Sequence, residues 1–394
     1  MELKETIQSI ASDIREEIIG VRRHLHQYPE LSFHEVQTSA YIKKKLDEMG
    51  ILWHPVAGTG VLATIKGTLG AGKVIALRAD IDALAIEDKK ETEYRSKNKG
   101  VMHACGHDVH TSILLGVAQI LKAMEYRFNG TVKLIFQPAE EILPGGAARV
   151  IDEGALTDPD VNLIIGQHVM PTLSAGKVGI RRGKFMASMD EISITIKGKG
   201  GHGAQPHLII DPVLAASSVI VILQQLISRK NNPAIPSVLS FGKFQANGTI
   251  NIIPDEILLE GTFRTMDEKW RQKALQEIRQ LTESVTEGLG CTCEVNIRNG
   301  YPSLYNPASV VETIEKFMEE YLGKQQVEEC DIWMASEDFS YYSEVVDSFF
   351  YLLGVGEEGR ESLSLHTSVF DINENAVETG MGLMAYIVLK YLDV

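Results

Sequence analysis

In the first 180 positions, segments whose hydrophobic residues recur at helical spacing alternate with segments whose hydrophobic residues have the pattern of a strand. Apolar residues at steps of three or four predict an amphipathic helix over residues 4–27. A second helix is expected from Ser32 to about Met49, because Ser32-Phe33-His34-Glu35 has the form of a capping box. A third is expected from Thr111 to about Glu125, and short, mainly apolar segments predict strands at 61–66, 74–79, 131–136 and 163–165. Alternating strands and helices predict an α/β sheet.

The pattern changes near residue 184. Ile192-Ser193-Ile194-Thr195-Ile196 alternates like a half-exposed strand, and Asp211-Pro212 is a start signal for a long apolar helix to about Arg229. Further elements are expected at 238–244, 256–263, 269–287 and 294–297. We therefore predict a smaller α+β domain at 184–297, inserted into a larger α/β domain formed by 1–183 and 298–394.

Composition narrows the class of protein. The chain has 394 residues and a net charge of −15, and the acidic residues are spread along it, which argues against nucleic acid or an anionic membrane as the main partner. No apolar run is expected to reach the roughly 18–20 residues that span a bilayer, and the N-terminus lacks the apolar core of a signal peptide. Four cysteines are too few for a disulfide framework, so a cytoplasmic protein is expected.

Residues 102–110, Met-His-Ala-Cys-Gly-His-Asp-Val-His, hold three His, one Cys and one Asp between a predicted strand and a predicted helix. Cys105 and His107 are two residues apart, so an extended strand end would direct both side chains to one point. Other residues able to bind a metal follow predicted strands or lie in loops: Glu140, Glu141, His168 and His366. Together they suffice for one or two ions with a position left for water. The alternative is a polar turn without metal.

Adjacent carboxylates point in different directions, so one of Glu140 and Glu141 can bind metal while the other takes a proton from water. Two solvated acids are the alternative. The glycine-rich run 198–203 lacks the spacing of phosphate-binding loops and presents His202, which either donates to a developing oxyanion or caps a turn. Asn247 and Arg264 are the other notable polar residues of the inserted domain, and Arg is a natural partner for a substrate carboxylate, although lone polar residues are more often surface residues.

Four motifs, Met102 to Asp108, Gln137-Pro138-Ala139-Glu140-Glu141, Gly198 to His202 and Ser336-Glu337-Asp338-Phe339, resemble the M20 family of metallopeptidases and amidohydrolases. The similarity is to the branch of aminoacylase, hippurate hydrolase, auxin-conjugate hydrolase and N-acetyldiaminopimelate deacetylase. It implies a zinc-peptidase-like α/β catalytic domain with an inserted α+β lid or dimerisation domain. It also implies two divalent transition-metal ions, Zn, Mn, Co or Ni, held by Cys105, His107, Glu141, His168 and His366.

The resemblance further implies that Glu140 is the general base, that His202 helps to hold the scissile carbonyl, and that Asn247 and Arg264 bind the substrate carboxylate. The expected reaction is hydrolysis of N-acyl amino acids, with a homodimer or higher homo-oligomer formed through the inserted domain. A metallo-carboxypeptidase or dipeptidase shares the metal chemistry and is the alternative. A metal-retaining binding protein is a further alternative, although a binder needs no base beside its ligand.

Overall fold

The computed structural model of the chain describes residues 2–359 and 363–394. It contains two compact units, the first made of Met1–Gly183, Tyr305–Asp331 and Asp338–Val394, the second of Lys184–Leu304 and Ile332–Glu337. The predicted combination of an α/β unit with a smaller α+β unit is confirmed. The domain boundaries at 183/184 and 297/298 stay predictions, since the second compact unit extends to Leu304 and also takes in 332–337.

The first unit is built on one mixed sheet in the order β1-β2-β4-β3-β5-β16-β6-β15. Its central strands β4, β3, β5 and β16 run parallel, and β1 and β2 are added antiparallel at one side. The central strands β3 and β4 are buried at every position, and β16 at all but its last, as expected for strands covered on both faces. The strands are β1 (Leu52–Val56), β2 (Gly60–Lys66), β3 (Val74–Asp80), β4 (Thr131–Gln137), β5 (Leu163–Ser174), β6 (Val178–Ile180), β15 (Val327–Glu329) and β16 (Ser348–Gly356).

The helices of this unit include one that is almost entirely buried. They are α1 (Leu3–Gln27), α2 (Val36–Glu48), α3 (His107–Ala123), α4 (Ala147–Asp152), α7 (Ala308–Leu322), α8 (Ser340–Ser343) and α9 (Asn375–Tyr391). Fourteen of the 17 residues of α3 are buried. It packs against α1 and α9 and against β3, which fixes its N-terminus at the end of that strand.

The second unit has a four-stranded antiparallel sheet in the order β10-β12-β8-β13, packed with helices α5 and α6. Asp211 caps α5 by accepting from the N–H groups of Val213 and Leu214, as the Asp-Pro signal predicts. The elements are β8 (Ser188–Lys197), β9 (Gly201–His202), α5 (Pro212–Gln225), β10 (Ser237–Ala246), β11 (Ile252–Ile253), β12 (Glu256–Thr265), α6 (Glu268–Gly288) and β13 (Thr292–Asn299). Two short strands, β7 (Gly183–Met186) and β14 (Leu304–Asn306), lie where the chain passes between units.

The capping-box prediction is wrong. Helix α2 begins at Val36, and its N-terminal residue Glu35 makes no side-chain cap. The Ser32 hydroxyl donates instead to Asp82 Oδ2 at 2.6 Å, so a distant carboxylate takes the hydroxyl that the pattern assigns to the helix. Strand β1 is also absent from the prediction, because its Leu-Trp-His-Pro-Val sequence contains a proline and lacks a regular alternation.

The expectation that no apolar run is long enough for a bilayer also needs correction. The helical segment Pro212–Lys230 is long and apolar enough by length and composition, with 33% of it buried. A single helix of this kind is weak evidence for a membrane span, because apolar helices packed in globular units meet the same criterion. Its buried residues, among them Ala215, Val219 and Leu223, belong to the core of the second unit.

Candidate metal centre

Neighbouring parallel strands bring the candidate ligands to one edge of the first unit's sheet. Strand β3 ends at Asp80 and β4 at Gln137, three residues before Glu140. His168 lies in β5, two residues beyond the last register pair of that strand with β3, Arg78 with Gly166. Helix α3 begins at His107 on the same side. Carboxyl ends of strands in open α/β sheets are the usual position of binding sites.

Five side chains that the sequence predicts as metal ligands lie together. The Sγ atom of Cys105 is 3.3 Å from Nε2 of His168 and 3.2 Å from Nε2 of His366. Glu141 Oε1 is 3.8 Å from His107 Nε2 and 3.6 Å from His366 Nε2. We name this group the metal-ligand cluster: Cys105, His107, Glu141, His168 and His366. Glu140 lies beside it, with a carboxylate oxygen within 4.8 Å of ligand atoms of His107 and Glu141.

Hydrogen bonds to the remote ring nitrogens orient two of the imidazoles. His107 Nδ1 is 2.9 Å from the carbonyl oxygen of Asp82, and His168 Nδ1 is 2.7 Å from that of Val169. A carbonyl only accepts, so Nδ1 carries a proton in both rings. Neutral rings in that tautomer present the Nε2 lone pair to the cluster, which is the arrangement of metal-bound histidines.

Two buried atoms of the cluster are positioned to bind a cation. Among residues 2–359 and 363–394, neither His107 Nε2 nor Glu141 Oε1 has a hydrogen-bond partner. Such atoms normally cost free energy when buried without a partner. Their separation of 3.8 Å is too long for a hydrogen bond and suits two ligands of one ion. A set of thiolate, imidazole and carboxylate donors favours transition metals over Mg²⁺ or Ca²⁺.

Comparison with known proteins agrees with this geometry. Residues 76–390 match the model of peptidase family M20/M25/M40. The chain belongs to this family. N-acetyl-L-cysteine deacetylase of Bacillus subtilis (strain 168) is 41% identical over 93% of this chain and 86% of that relative. An N-acyl-L-amino acid amidohydrolase of Geobacillus stearothermophilus is 40% identical over 77% of this chain and 81% of its own length.

A solved structure in the same family has the same fold. The YXEP protein of Bacillus subtilis, described as a dinuclear metal-binding peptidase of the M20 family, superposes with a TM-score of 0.82 at 35% identity, covering 97% of this chain and 99% of that one. The resemblance to the M20 family stated from the four motifs is therefore confirmed.

Burial and neighbouring charges set the protonation of this M20 cluster before metal binds. Burial, reinforced by Glu141 and Glu140, raises the pKa of the Cys105 thiol. Burial alone would lower the pKa of His107, but Asp80, Asp82 and Glu141 raise it to about 10. Burial raises the pKa of Glu141 to about 7 and lowers that of His168 to about 3. Metal binding must therefore displace protons from Cys105, His107 and part of Glu141.

Three backbone positions with positive φ shape the cluster. Gly106 separates Cys105 from His107 at φ +83°, and a Cβ there would come within 2.5 Å of Val169 Cγ2, so only glycine fits. Ala139, directly before Glu140, has φ +53°, and His366 has φ +58°. Left-handed conformations at residues other than glycine cost free energy and are concentrated at functional sites.

A buried ionic network supports the general-base candidate. Arg78 donates to Asp80 Oδ2 at 2.7 Å and to Asp338 Oδ1 at 2.5 Å. Gln137 also donates to Asp338, whose own N–H lies 3.4 Å from Glu140 Oε1. Asp80 in turn accepts from Nδ1 of His110 at 2.6 Å. The sequence predictions assign no role to Arg78, Asp80 or His110. The Asp-x-Asp pair at the end of β3 and the His three residues after His107 are signals that would have indicated them.

One local prediction about the cluster is wrong. Cys105 and His107 do not project from an extended strand end, because Cys105 lies in a bend and His107 is the first residue of α3. The two side chains reach one site through the left-handed turn at Gly106. Asp82, which orients His107 through its carbonyl, is a residue that the strand prediction passes over.

The remaining predicted site residues are in the second unit. His202 is exposed on β9, which pairs with β11, and its Nδ1 accepts from the N–H of Ala204 at 3.1 Å. Asn247 is exposed in the loop after β10. Arg264 on β12 donates to the carbonyl of Met334 at 2.9 Å, and burial lowers its pKa. The roles of these three residues stay predictions.

Proposed function

We propose that this protein is a metal-dependent amidohydrolase that cleaves N-acyl amino acids to a carboxylate and a free amino acid. The observation that supports it most is the meeting of the five-residue metal-ligand cluster with a second, adjacent carboxylate, Glu140. Its M20 relatives include enzymes named for deacetylation of N-acetylcysteine and for hydrolysis of N-acyl amino acids. Acetyl, benzoyl and similar acyl groups are the proposed substrates.

Cys105, His107, Glu141, His168 and His366 would hold two divalent ions. The dinuclear description of the YXEP protein supports this number, and the thiolate supports Zn, Mn, Co or Ni as the metals. When bound, such ions supply Lewis acidity, which polarises the acyl carbonyl and acidifies the attacking water. Among these five residues His366 lies closest to solvent, since its side chain is 55% exposed, whereas Cys105 is buried.

Glu140 acts as the proton carrier. It takes a proton from the attacking water and then gives it to the leaving amine, which makes it base and acid in turn. Its carboxylate is buried beside the cluster and receives the Asp338 N–H, so its position is fixed before substrate binds. Glu141, the neighbour of Glu140, serves as ligand and not as base, because its Oε1 lies between two imidazoles, 3.8 Å from His107 Nε2 and 3.6 Å from His366 Nε2.

The second unit supplies substrate recognition in this proposal. His202 donates to the carbonyl oxygen as negative charge develops there. Arg264 and Asn247 hold the α-carboxylate of the amino acid, because the planar guanidinium binds both oxygens. These assignments depend on the resemblance to the M20 family and select for a substrate with a free α-carboxyl group.

Release of free amine from a panel of substrates tests the function. The panel contains N-acetyl and N-benzoyl amino acids, their methyl esters and simple dipeptides, assayed after reloading with Zn²⁺, Mn²⁺, Co²⁺ or Ni²⁺. We expect turnover of N-acyl amino acids, much weaker turnover of the esters, and loss on chelation. Turnover of dipeptides alone would make the protein a peptidase. Binding of N-acyl amino acids without turnover would make it a binding protein.

We also propose a homodimer formed through the second unit. Helix α5 exposes an apolar surface that includes Leu214, Val221 and Ile222. In the described part of the chain β10 pairs only with β12, so its outer edge is open, and Val238 and Phe244 are exposed on it. An open edge strand next to apolar surface is a template for pairing with a second copy. The four cysteines are free, which fits the reducing cytoplasm as the proposed compartment.

A further inference from the structure

Glu35 is a buried carboxylate that joins the α1–α2 loop to the strand end carrying Glu140 and Glu141. Its Oε1 accepts the N–H of Phe33 and the N–H of Ala139, each at 2.9 Å. Its Oε2 accepts the hydroxyl of Thr59 at 2.6 Å. The side chain has no exposed surface. Both of its oxygens are therefore committed to neighbours within the first unit, and Glu35 is used neither as a ligand nor as a helix cap.

Both backbone donors to Oε1 have an unusual conformation. Phe33 has φ +63° and Ala139 has φ +53°, the left-handed region that residues with a Cβ rarely adopt. A hydrogen bond from such a residue to a buried acceptor helps to hold the strained conformation, because a buried N–H left without a partner costs free energy. Ala139 directly precedes Glu140, so its φ and ψ set the directions in which Glu140 and Glu141 leave the strand.

The same loop reaches Glu141 by a second route. Ser32 donates to Asp82 Oδ2 at 2.6 Å, and that oxygen also accepts the N–H of Glu141 at 3.0 Å. The other Asp82 oxygen lies 3.2 Å from His107 Nδ1. Residues 32–35 are thus bonded directly to Ala139, before Glu140, and are linked through Asp82 to Glu141, after it.

We propose that Glu35 is a positioning residue that keeps Ala139 in its left-handed conformation and thereby directs Glu140 to water and Glu141 to metal. The inference rests on the proposed function for the roles of those two carboxylates. Position 35 requires a side chain as long as that of glutamate, with an acceptor where Oε1 lies. A neutral side chain of equal length that retains the Oε1 acceptor meets that requirement, and a shorter carboxylate does not.

Three substitutions separate geometry from charge. Glu35→Gln keeps length and one carbonyl acceptor, Glu35→Asp keeps charge but is one carbon shorter, and Glu35→Leu keeps neither acceptor. We expect kcat at saturating metal within about threefold of wild type for Gln, and lower by roughly 10–100-fold for Leu, with KM changed much less. Asp should be less active than Gln. A higher kcat for Asp than for Gln would overturn the proposal.

Metal affinity provides a readout that does not need turnover. Co²⁺ titration of the metal-free protein, followed by the thiolate-to-metal absorption of Cys105, measures how well Glu141 is placed. We expect roughly tenfold weaker Co²⁺ binding for Glu35→Leu and unchanged binding for Glu35→Gln. Equal affinities in all variants would contradict the proposal. Inactive wild type with this affinity pattern would contradict the proposed function and leave the role of Glu35 supported.

A second substitution tests the strain directly. Glycine adopts φ +53° without penalty, so Ala139→Gly should recover most of the kcat lost in Glu35→Leu. No recovery would overturn the proposal, and Glu35→Asp carries the same test if the Leu variant does not fold. Glu153→Leu is the matched control. It removes a 2.7 Å bond from the N–H of Ala57, at φ +50°, to a carboxylate that does not contact the 139–141 segment. Its kcat should stay within about twofold of wild type.

Discussion

Helices α3 and α5 are both apolar, yet they differ in how much of each is covered. In α3, 14 of 17 residues are buried, and in α5 only five of 14 are. Leu115 in α3 has no exposed surface, whereas Leu214 in α5 is 58% exposed. The apolar face of α3 is buried within its own unit, and this packing holds His107 in place. The outer face of α5 is not covered in the described chain, and it is the face that the proposed second copy would cover.

The role of an apolar helix has to be inferred from its apolar composition together with the reactive side chains that it carries. The N-terminus of α3 carries ligand-type residues, Cys105, His107 and His110, that are buried and oriented by neighbouring atoms. Helix α5 has no such residues within its bounds, and three of its five exposed positions, Leu214, Val221 and Ile222, are aliphatic. The N-terminus of α3 therefore belongs to the candidate metal centre, and the exposed face of α5 is the surface that we propose for association.

The largest effect is expected at the start of α3. Gly106→Ala places a Cβ 2.5 Å from Val169 Cγ2 at φ +83°, so the costs of backbone strain and of overpacking add, and we expect a loss of about 2–6 kcal/mol in the free energy of unfolding. Urea denaturation measures it. Gly20→Ala, in α1 with nothing within 4 Å of the added methyl, is the control and should be neutral or stabilise by up to about 1 kcal/mol. Equal effects would remove the steric argument.

Truncation of one leucine in each helix compares how much a buried and an exposed side chain contribute to the free energy of unfolding. Leu115→Ala should cost about 2–5 kcal/mol, because it leaves a cavity in a packed core. Leu214→Ala should cost less than about 1 kcal/mol at protein concentrations where the chain is monomeric, because its side chain is mostly in solvent. Chemical denaturation at several protein concentrations checks both. A large, concentration-independent cost for Leu214→Ala would contradict the comparison.

A charge on the exposed face of α5 tests association. Leu214→Glu should weaken the dimer at least about tenfold and leave the fold of each unit intact, because it places a carboxylate in an apolar contact. Sedimentation velocity over a dilution series measures the change. Gln276→Glu, at an exposed position of α6, should leave the association constant unaltered. A wild-type chain that is monomeric at high concentration would end the dimer proposal.

The smallest effect concerns protons at the start of α3. At pH 7 the raised pKa values keep protons on Cys105 and His107 and on about half of Glu141, whereas the lowered pKa of His168 leaves that ring neutral. Metal binding should therefore release about two to three protons, and affinity should rise with pH through neutrality. Calorimetry of Zn²⁺ binding in buffers of different ionisation enthalpy counts them. A metal affinity that falls as the pH rises would contradict this prediction.

The sequence predicted the elements and side chains whose signal is local. Short, mainly apolar segments indicated β3 and β4, and residue type alone indicated Cys105, His107 and the Glu140–Glu141 pair as candidates. Ser32-Phe33-His34-Glu35 could not be interpreted correctly, since a capping box and a contact with Ala139, 104 residues away, require the same residue types. The left-handed φ of Ala139 and His366 depends on tertiary contacts and leaves no mark in the sequence.

Glu140 is proposed to carry the proton and the adjacent Glu141 to bind metal, and one paired measurement tests this assignment. Metal content and turnover are measured side by side for Glu140→Gln and Glu141→Gln against wild type. The account predicts that Glu140→Gln keeps both ions and loses at least about 10³-fold in kcat, since the proton carrier is gone. Glu141→Gln should lose metal, because a neutral amide is a poor ligand. Retained turnover in Glu140→Gln, or loss of metal from it, would contradict the account.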